Sequence, residues 1–194
     1  EDGNRWVVEM DLSKFFDRVN HDILMDRVSR VIDDKTILKL IRRYLNAGIM
    51  EDGLVSPRLE GVPQGSPLSP LLSNIMLTDL DRELETRGLN HVRYADDCNI
   101  YVKSQRAAER VMAGCKDYLE KKLKLTVNTA KSKVGSPLRL KFLGFSMYKV
   151  TKSIGIRPHA KAMDRFKGRL RQLTSRKQAN SVSDILSKLK RYTT

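Results

Sequence analysis

Two adjacent carboxylates, Asp96 and Asp97, lie between two strand-like runs of this 194-residue chain. A third carboxylate, Asp11, comes at the end of an earlier strand-like run at residues 6–12. If these runs pair side by side, the three acids meet at one edge of a sheet. Carboxylate oxygens suit Mg²⁺, which binds through a few carboxylates together with substrate phosphates. Two such ions about 4 Å apart stabilise the attacking and the leaving oxygen of a phosphoryl transfer.

An adjacent pair of aspartates is weak support for a metal site when it stands alone. Asp hydrogen-bonds its own backbone and tolerates turn geometry, so a solvated turn is the usual explanation of such a pair. The metal interpretation therefore depends on Asp11 and on the motifs that accompany the pair.

Apolar periodicity predicts the elements that position these acids. The predicted strands cover residues 6–12, a hairpin at 94–102, a short strand at 125–127 and antiparallel strands over 139–156. Helical spacing predicts helices from about residue 20, over 36–46, 69–87 and 104–122, and again from 161 and from 182. The expected fold class is α+β, an antiparallel sheet flanked by helices and followed by a basic helical region.

A loop rich in glycine and proline, at residues 61–67, precedes the predicted helix at 69–87. Ser69 followed by Pro70 predicts an N-cap and a first helical residue. Gly88 is expected to end the helix.

The charge balance points to a polyanionic partner. The chain has 37 Lys and Arg against 23 Asp and Glu, a net charge of +14. Residues 159–194 alone carry ten Lys and Arg against two Asp, a net charge of +8. Binding to such a partner is expected to weaken with added salt.

The cysteine count excludes a disulfide framework and a zinc cluster. Cys98 and Cys115 stand alone, with no paired spacing, which fits a reducing cytoplasm. No apolar run approaches the roughly 20 residues that span a bilayer, so no membrane partner is expected.

Three segments resemble the palm motifs of reverse transcriptases, in the order that this family has. They are DLSKFFD at residues 11–17, GVPQGSPLSPLLSNI at 61–75 and YADD at 94–97. The pattern is similar, more closely, to the reverse transcriptase/maturase proteins that group II introns encode. NTAK at 128–131 and KFLGF at 141–145 resemble the family's lysine-bearing fourth motif and its primer-grip hairpin.

The resemblance implies a palm over residues 1–157 and the start of a thumb, or maturase X region, over 158–194. Members of the family carry a fingers region ahead of the first palm motif. The abrupt start of this sequence therefore predicts a fragment of a longer protein, and we expect the fragment alone to be poorly active or inactive.

The resemblance also implies roles at the acidic edge. Asp11 and Asp96 would each bind two Mg²⁺ ions when substrate is present, and the Leu12 carbonyl would bind the ion that accompanies the nucleotide. Asp97 would support the site, either as a direct metal ligand or as a neighbour of the ligands that does not touch the metal. Lys131 would protonate or neutralise the pyrophosphate leaving group; the alternative is a solvated lysine.

Four further positions correspond to the family's nucleotide pocket. Phe16 would press against the sugar 2′ position and favour deoxynucleotides, and its alternative is a simple core residue. Pro63, Gln64 and Gly65 would contact the incoming nucleotide and the templating base, because glycine lets the backbone approach a ligand closely. The alternative for these three is a structural turn.

Basic residues alternate with an apolar stripe in the helix predicted from residue 161. The resemblance implies that they contact backbone phosphates of a template–primer or of intron RNA; the alternative is a solvated face. They are Lys161, Arg165, Lys167, Arg169 and Arg171.

The function that the resemblance implies is Mg²⁺-dependent addition of deoxynucleotides (dNTPs) to a DNA primer on an RNA template. It also implies binding of intron RNA and assistance to splicing in the intact protein, a bacterial cytoplasmic ribonucleoprotein setting, and compatibility with a homodimer. Two alternatives stay open: a splicing scaffold that binds RNA, and a reverse transcriptase of the retron or CRISPR-associated kind.

Overall fold

The computed structural model describes residues 3–47, 49–51, 54–56, 59–63, 65–151, 153–175, 177 and 181–193. The chain forms two compact units, Glu1–Ser136 and Pro137–Thr194. The predicted boundary between palm and thumb, at residue 157, falls inside the second unit, because the preceding hairpin groups with the helices that follow it. That functional division stays a prediction, since compactness does not test it.

The first unit mixes strands and helices. In chain order its elements are β1 (Trp6–Met10), a 3-10 turn (Phe15–Asp17), α1 (His21–Ser29), α2 (Lys35–Asn46), β2 (Ile49–Glu51), β3 (Leu54–Ser56), α3 (Ser69–Thr86), β4 (Asn90–Tyr94), β5 (Asp97–Val102), α4 (Gln105–Lys122) and β6 (Lys133–Gly135).

The main sheet has the strand order β4–β5–β1–β6 with antiparallel neighbours, and β2 pairs with β3 in a separate hairpin. Strand β1 therefore lies between β5 and β6. The metal interpretation requires residues 6–12 to pair with the 94–102 hairpin, and the contact between β1 and β5 provides this pairing. Successive side chains of a strand point to opposite faces, so Val8 and Met10 share the face that joins the core.

Helices cover that core face. Helix α4 packs on β1, β5 and β6, and α3 packs on β4 and α1. The shared core includes Val8 and Ile100 from the sheet, Met76 from α3 and Leu119 from α4, each at most 1% exposed. Burial of a side chain of this size contributes about 2 kcal/mol, which is an upper value because the unfolded chain already buries some apolar surface.

The start of α3 differs from the predicted one. Ser69 is not the N-cap: the helix begins at Ser69 itself, Leu68 precedes it without a side-chain cap, and Pro70 is the second helical residue. The Ser69 hydroxyl instead donates to the carbonyl of Pro63, in the glycine- and proline-rich loop. The end of the helix is as predicted, since Gly88 follows it at φ 63°.

The prediction of a strand at 125–127 is wrong, because this segment forms only an isolated bridge between Leu12 and Val127. Bonds on either side of this bridge join Asn128 N–H to Asp11 O and Ser13 N–H to Thr126 O.

The second unit contains an antiparallel hairpin sheet followed by helices. Its elements are β7 (Lys141–Phe142), β8 (Phe145–Val150), β9 (Ser153–Pro158), α5 (Ala160–Leu173) and α6 (Val182–Thr193). Phe166 of α5 stacks on Tyr192 of α6 with ring centroids 5.7 Å apart, which ties the two helices together. Antiparallel sheets with packed helices confirm the predicted α+β class. Among the described residues, no helix is both long and apolar enough to cross a membrane.

Candidate active site

The register of the sheet brings Asp11 next to the aspartate pair. Met10, the last residue of β1, pairs with Cys98 of β5, so continuing this register by one residue sets Asp11 opposite Asp97. Neighbouring strands lie about 4.8 Å apart. Strand alternation puts Asp11 and Asp97 on the face opposite the core residues Met10 and Cys98.

A tight turn carries the third acid. Tyr94 pairs with Asp97 across the β4–β5 hairpin, which leaves Ala95 and Asp96 as a two-residue turn. Ala95 has a φ of 54°, a left-handed conformation that residues with a Cβ rarely adopt. Asp96 is therefore presented beside the edge where Asp11 and Asp97 lie.

The two carboxylate oxygens of Asp11 have different surroundings. Oδ2 lies 3.6 Å from Nζ of Lys131, whose side chain is 69% exposed. Oδ1 is buried and accepts no hydrogen bond. A buried polar atom without a partner costs free energy, and a bound cation would supply the missing contact.

A loop after α4 fixes the backbone of Asp11. Asp11 N–H donates to Oγ of Ser132 at 3.0 Å, and the Ser132 hydroxyl donates to Asp11 O at 3.3 Å. Asn128 N–H also donates to Asp11 O at 2.9 Å. The same Asn128 accepts, through its side-chain oxygen, from Lys131 N–H at 3.3 Å. Ser132 was missed in the sequence because a serine after a lysine carries no chemical signal of its own.

These residues fit a divalent cation that arrives with its substrate. Within the described part of the chain, no group of three or more Asp, Glu, His or Cys forms a preassembled metal site. Carboxylates repel one another without a cation, so a loose set is expected before binding. The buried Oδ1 of Asp11 supplies the unused ligand. Leu12 and Val127 form a bridge in which the residues on either side of them, and not Leu12 and Val127 themselves, exchange the hydrogen bonds. The carbonyl of Leu12 therefore points away from Val127, toward the β5 side.

A cavity of about 410 Å³ adjoins the 3-10 turn after β1. Its lining residues are Phe16, Gly65, Ser66, Pro67, Ser69 and Pro70. Phe16 is partly buried and forms one wall. Pro63 contributes the carbonyl that accepts from Ser69. Gln64 lies outside the described residues.

Backbone bonds clamp the glycine-rich loop to the segment that carries Phe16. Val62 N–H donates to Phe16 O at 2.6 Å, and Gly61 N–H donates to Val19 O at 2.7 Å. The buried His21 ring donates from Nε2 to Gly61 O at 2.7 Å. Sequence reasoning missed His21, whose place at the start of α1 gives no hint of a contact 40 residues away.

Similarity to known proteins agrees with this arrangement. Residues 1–147 match the family described as reverse transcriptase (RNA-dependent DNA polymerase). The chain belongs to the reverse transcriptase family. The matched residues include Asp11, the cavity loop and the Asp96–Asp97 hairpin.

Two relatives refine this assignment. Protein YkfC of Escherichia coli (strain K12) is 36% identical over an alignment of 168 positions, and the match covers 69% of this chain and 44% of YkfC. Group II intron-encoded protein LtrA of Lactococcus lactis subsp. cremoris is 40% identical over 80 residues, 41% of this chain and 13% of LtrA. The resemblance to group II intron-encoded reverse transcriptases is thereby confirmed. The chain spans less than half the length of either protein.

A solved structure of low sequence identity shares the fold. The structure of apo telomerase from Candida tropicalis, truncated from its C-terminal domain, aligns with a TM-score of 0.60 at 17% identity, covering 78% of this chain and 35% of that one. At this identity the likeness shows the fold alone.

The second unit of this reverse transcriptase chain holds nearly all of its excess charge. Residues 137–194 carry 15 Lys and Arg against two Asp, a net charge of +13, whereas residues 1–136 carry 22 against 21, a net charge of +1. The basic residues predicted to bind nucleic acid are all exposed on α5: Lys161, Arg165, Lys167, Arg169 and Arg171.

Both cysteines of the chain are buried thiols. Burial raises the pKa of Cys98 to about 12 and that of Cys115 to about 11. Both remain protonated at neutral pH and lack the thiolate that nucleophilic catalysis requires.

Proposed function

We propose that this chain is the palm and the start of the thumb of an RNA-directed DNA polymerase of the group II intron type. The observation that carries the proposal is the sheet register, which sets Asp11, with a buried and unbonded Oδ1, opposite Asp97 and beside the Asp96 turn. A cavity bounded by Phe16 adjoins the segment that follows Asp11.

Asp11, Asp96 and the Leu12 carbonyl would hold Mg²⁺, with Asp97 in support. When bound, the ions lower the pKa of the primer 3′-hydroxyl and neutralise charge on the nucleotide phosphates. No protein nucleophile is needed for this reaction, which fits the protonated state of Cys98.

The other site residues bind and orient the nucleotide. Phe16 would close the cavity at the sugar 2′ position, and Pro63, Gln64 and Gly65 would border the incoming base and its template. Lys131 approaches Asp11 through an exposed, flexible side chain, so it can move to the pyrophosphate and donate a proton there.

The basic second unit would hold the nucleic acid. A net charge of +13 with two acids in 58 residues favours phosphate backbones over any neutral partner. We assign the RNA template, the DNA primer and the parent intron RNA to this surface, in a reducing bacterial cytoplasm where both cysteines stay free.

The test is primer extension by the full-length protein on an RNA template with Mg²⁺, compared with Asp96→Asn. Loss of a metal ligand is expected to lower the rate at least about 100-fold, since metal stabilisation is worth several kcal/mol. Asp117→Asn is the matched control, because Asp117 is 63% exposed on α4 and its surface pair with Lys121 is worth little. Extension that survives Asp96→Asn would contradict the metal assignment.

A second function, assistance to intron splicing as an RNA-binding scaffold, is favoured by the same basic unit. Splicing measured with Asp96→Asn separates the two functions. A scaffold role predicts retained splicing with lost extension, and an equal loss of both would count against it.

A further inference from the structure

A largely buried arginine joins the β4–β5 hairpin to helix α3. Arg93, on β4, is 11% exposed. Its guanidinium donates from Nε to Asp81 Oδ1 at 2.7 Å and from a terminal nitrogen to Asp81 Oδ2 at 2.5 Å. The remaining nitrogen donates to Asn74 Oδ1 at 3.0 Å and to Ala95 O at 2.9 Å. The hydrogen bond with Asp81 raises the pKa of Arg93 against the opposing effect of burial.

The hydrogen bond from Arg93 to Ala95 O reaches a strained part of the backbone. Ala95 holds a φ of 54° immediately before Asp96. Such a conformation costs on the order of 1 kcal/mol or more for a residue with a Cβ, and it persists where the surroundings impose it. The Arg93 bond to Ala95 O is a contact that can impose it, because the guanidinium is itself fixed by three other bonds.

We propose that Arg93 is the positioning residue that holds the Ala95–Asp96 turn in the conformation that presents Asp96 to the metal. Asp81 and Asn74 are its anchors on α3. This inference rests on the proposed function, in which Asp96 binds Mg²⁺.

The chemistry of the side chain explains why an arginine is used. A planar guanidinium has five N–H donors in fixed directions, so it can make a two-point contact with a carboxylate and still donate to an amide oxygen and a carbonyl. A lysine offers one compact charge and loses that geometry. Helix α3 also begins at Ser69 and Pro70 on the cavity wall, so one rigid element supports both the cavity and the acidic turn.

A neighbouring ion pair provides a matched control. Arg27 of α1 pairs with Asp79, also on α3, through Nε to Oδ2 at 2.9 Å, and the two side chains are 17% and 15% exposed. Its bonds reach Asp26, Ile23 and Asp79 but not the turn. Arg27→Lys therefore removes a similar buried geometry without touching Ala95.

The experiment uses the full-length protein and the variants Arg93→Lys, Arg27→Lys and Asp96→Asn. The first measurement is amide hydrogen exchange across residues 94–98 without metal, and the second is Mn²⁺ affinity. We expect Arg93→Lys to speed exchange about tenfold and to weaken Mn²⁺ binding about 10- to 100-fold, the range typical of residues that orient metal ligands. Arg27→Lys should leave both within twofold, even if its melting temperature falls.

A fall in melting temperature for Arg93→Lys without faster exchange at 94–98 or weaker Mn²⁺ binding would overturn the inference. If Arg93→Lys does not fold, Asn74→Ala removes one exposed anchor and leaves the ion pair, and it should give a smaller change in the same direction. Unchanged exchange and affinity in Asn74→Ala would then overturn it.

Wild-type protein that binds no Mn²⁺, or Asp96→Asn that binds it equally well, would contradict the proposed function instead. The exchange comparison would still decide the role of Arg93.

Discussion

Asp11 has two features that suit the metal role proposed for it. One carboxylate oxygen is buried without a hydrogen bond, and the other lies 3.6 Å from an ammonium group whose side chain is 69% exposed. A long pair with an exposed lysine is weak, because solvent screens the ammonium group. Under the proposed function, a divalent cation would therefore displace Lys131 from Asp11 at little cost and free it for the leaving group.

Phe16 is the residue on which sugar selection should depend. Phe16→Ala opens the wall of the 410 Å³ cavity, and a ribonucleotide 2′-hydroxyl should then fit. We expect the ratio of kcat/KM for dNTP over the ribonucleotide to fall about tenfold or more, which corresponds to about 1.4 kcal/mol of lost discrimination. Single-nucleotide incorporation kinetics measure this ratio.

Leu119→Ala is the control for the Phe16 prediction. Leu119 of α4 is 1% exposed in the core and does not line the cavity, so its substitution should lower stability and leave the ratio unchanged. An unchanged ratio in Phe16→Ala would return Phe16 to a purely structural role.

The thiol of Cys98 should make the fold sensitive to alkali. Its pKa is about 12 in the fold, against 9.0 for an unperturbed cysteine thiol, so only the unfolded chain ionises as the pH rises past 9. An acid whose folded pKa is raised loses stability over that window, by up to about 1.4 kcal/mol per pH unit. Urea unfolding between pH 8 and pH 10 should show a shallower decline for Cys98→Ala than for wild type. Parallel declines would contradict the prediction.

At the scale of elements, the clamp between the glycine-rich loop and the 3-10 turn depends on Gly61. Gly61 has a φ of 85°, and a Cβ there would lie 2.7 Å from Asp17 O and 2.8 Å from Phe16 O. These contacts are shorter than van der Waals distances and involve backbone atoms, so one of the two segments would have to shift. Gly61→Ala should lower the free energy of unfolding by more than about 2 kcal/mol, measured in urea.

Gly88→Ala is the control that separates the cost of backbone strain from the cost of a steric collision. Gly88 also has a positive φ, of 63°, but a Cβ there meets nothing within 4 Å. Only the conformational cost of about 1 kcal/mol is expected. Equal losses in the two variants would mean that the loop yields and that the clamp does not fix Phe16.

Local signals in the sequence predicted most of the elements, but they did not predict the long-range contacts. Apolar periodicity located α3 and α4, and the paired acids between two apolar runs located the β4–β5 hairpin. The serine–proline signal misplaced the start of α3 by one residue, because the hydroxyl of Ser69 finds Pro63 O instead of its own helix. The 125–127 segment failed as a strand because its pairing with residue 12 extends to a single bridge.

The candidate site divides in the same way. The acids have their own chemistry, so their types and order indicated them. Ser132, His21 and Arg93 act through partners far away in the chain or on another element, and nothing in their own sequence neighbourhood reveals those partners. Residues that orient a site are harder to predict than residues that form it.

For the molecule as a whole, charge and chemistry are divided between the two units. The acids that would hold metal lie in a unit with a net charge of +1, and the other unit carries +13. Composition predicted the polyanionic partner, but the tail counted from residue 159 contained only +8 of the excess. The boundary at 136 adds the basic residues of the β7–β9 region, which a count based on helices omitted.

This division predicts where the salt dependence of nucleic-acid binding originates. Each lysine or arginine that neutralises a phosphate adds about one to the slope of log affinity against log salt. Replacing Lys161, Arg165 and Arg169 by Gln should lower that slope by about two to three, because all three are exposed on α5. Fluorescence anisotropy of an RNA–DNA template–primer with the full-length protein between 50 and 300 mM KCl measures the slope.

Replacing Arg82, Arg106 and Arg110 by Gln removes the same charge from exposed helix positions of the first unit and should leave the slope within about one. If both triple variants lower the slope equally, the partner responds to net charge alone, and the second unit is not its binding surface.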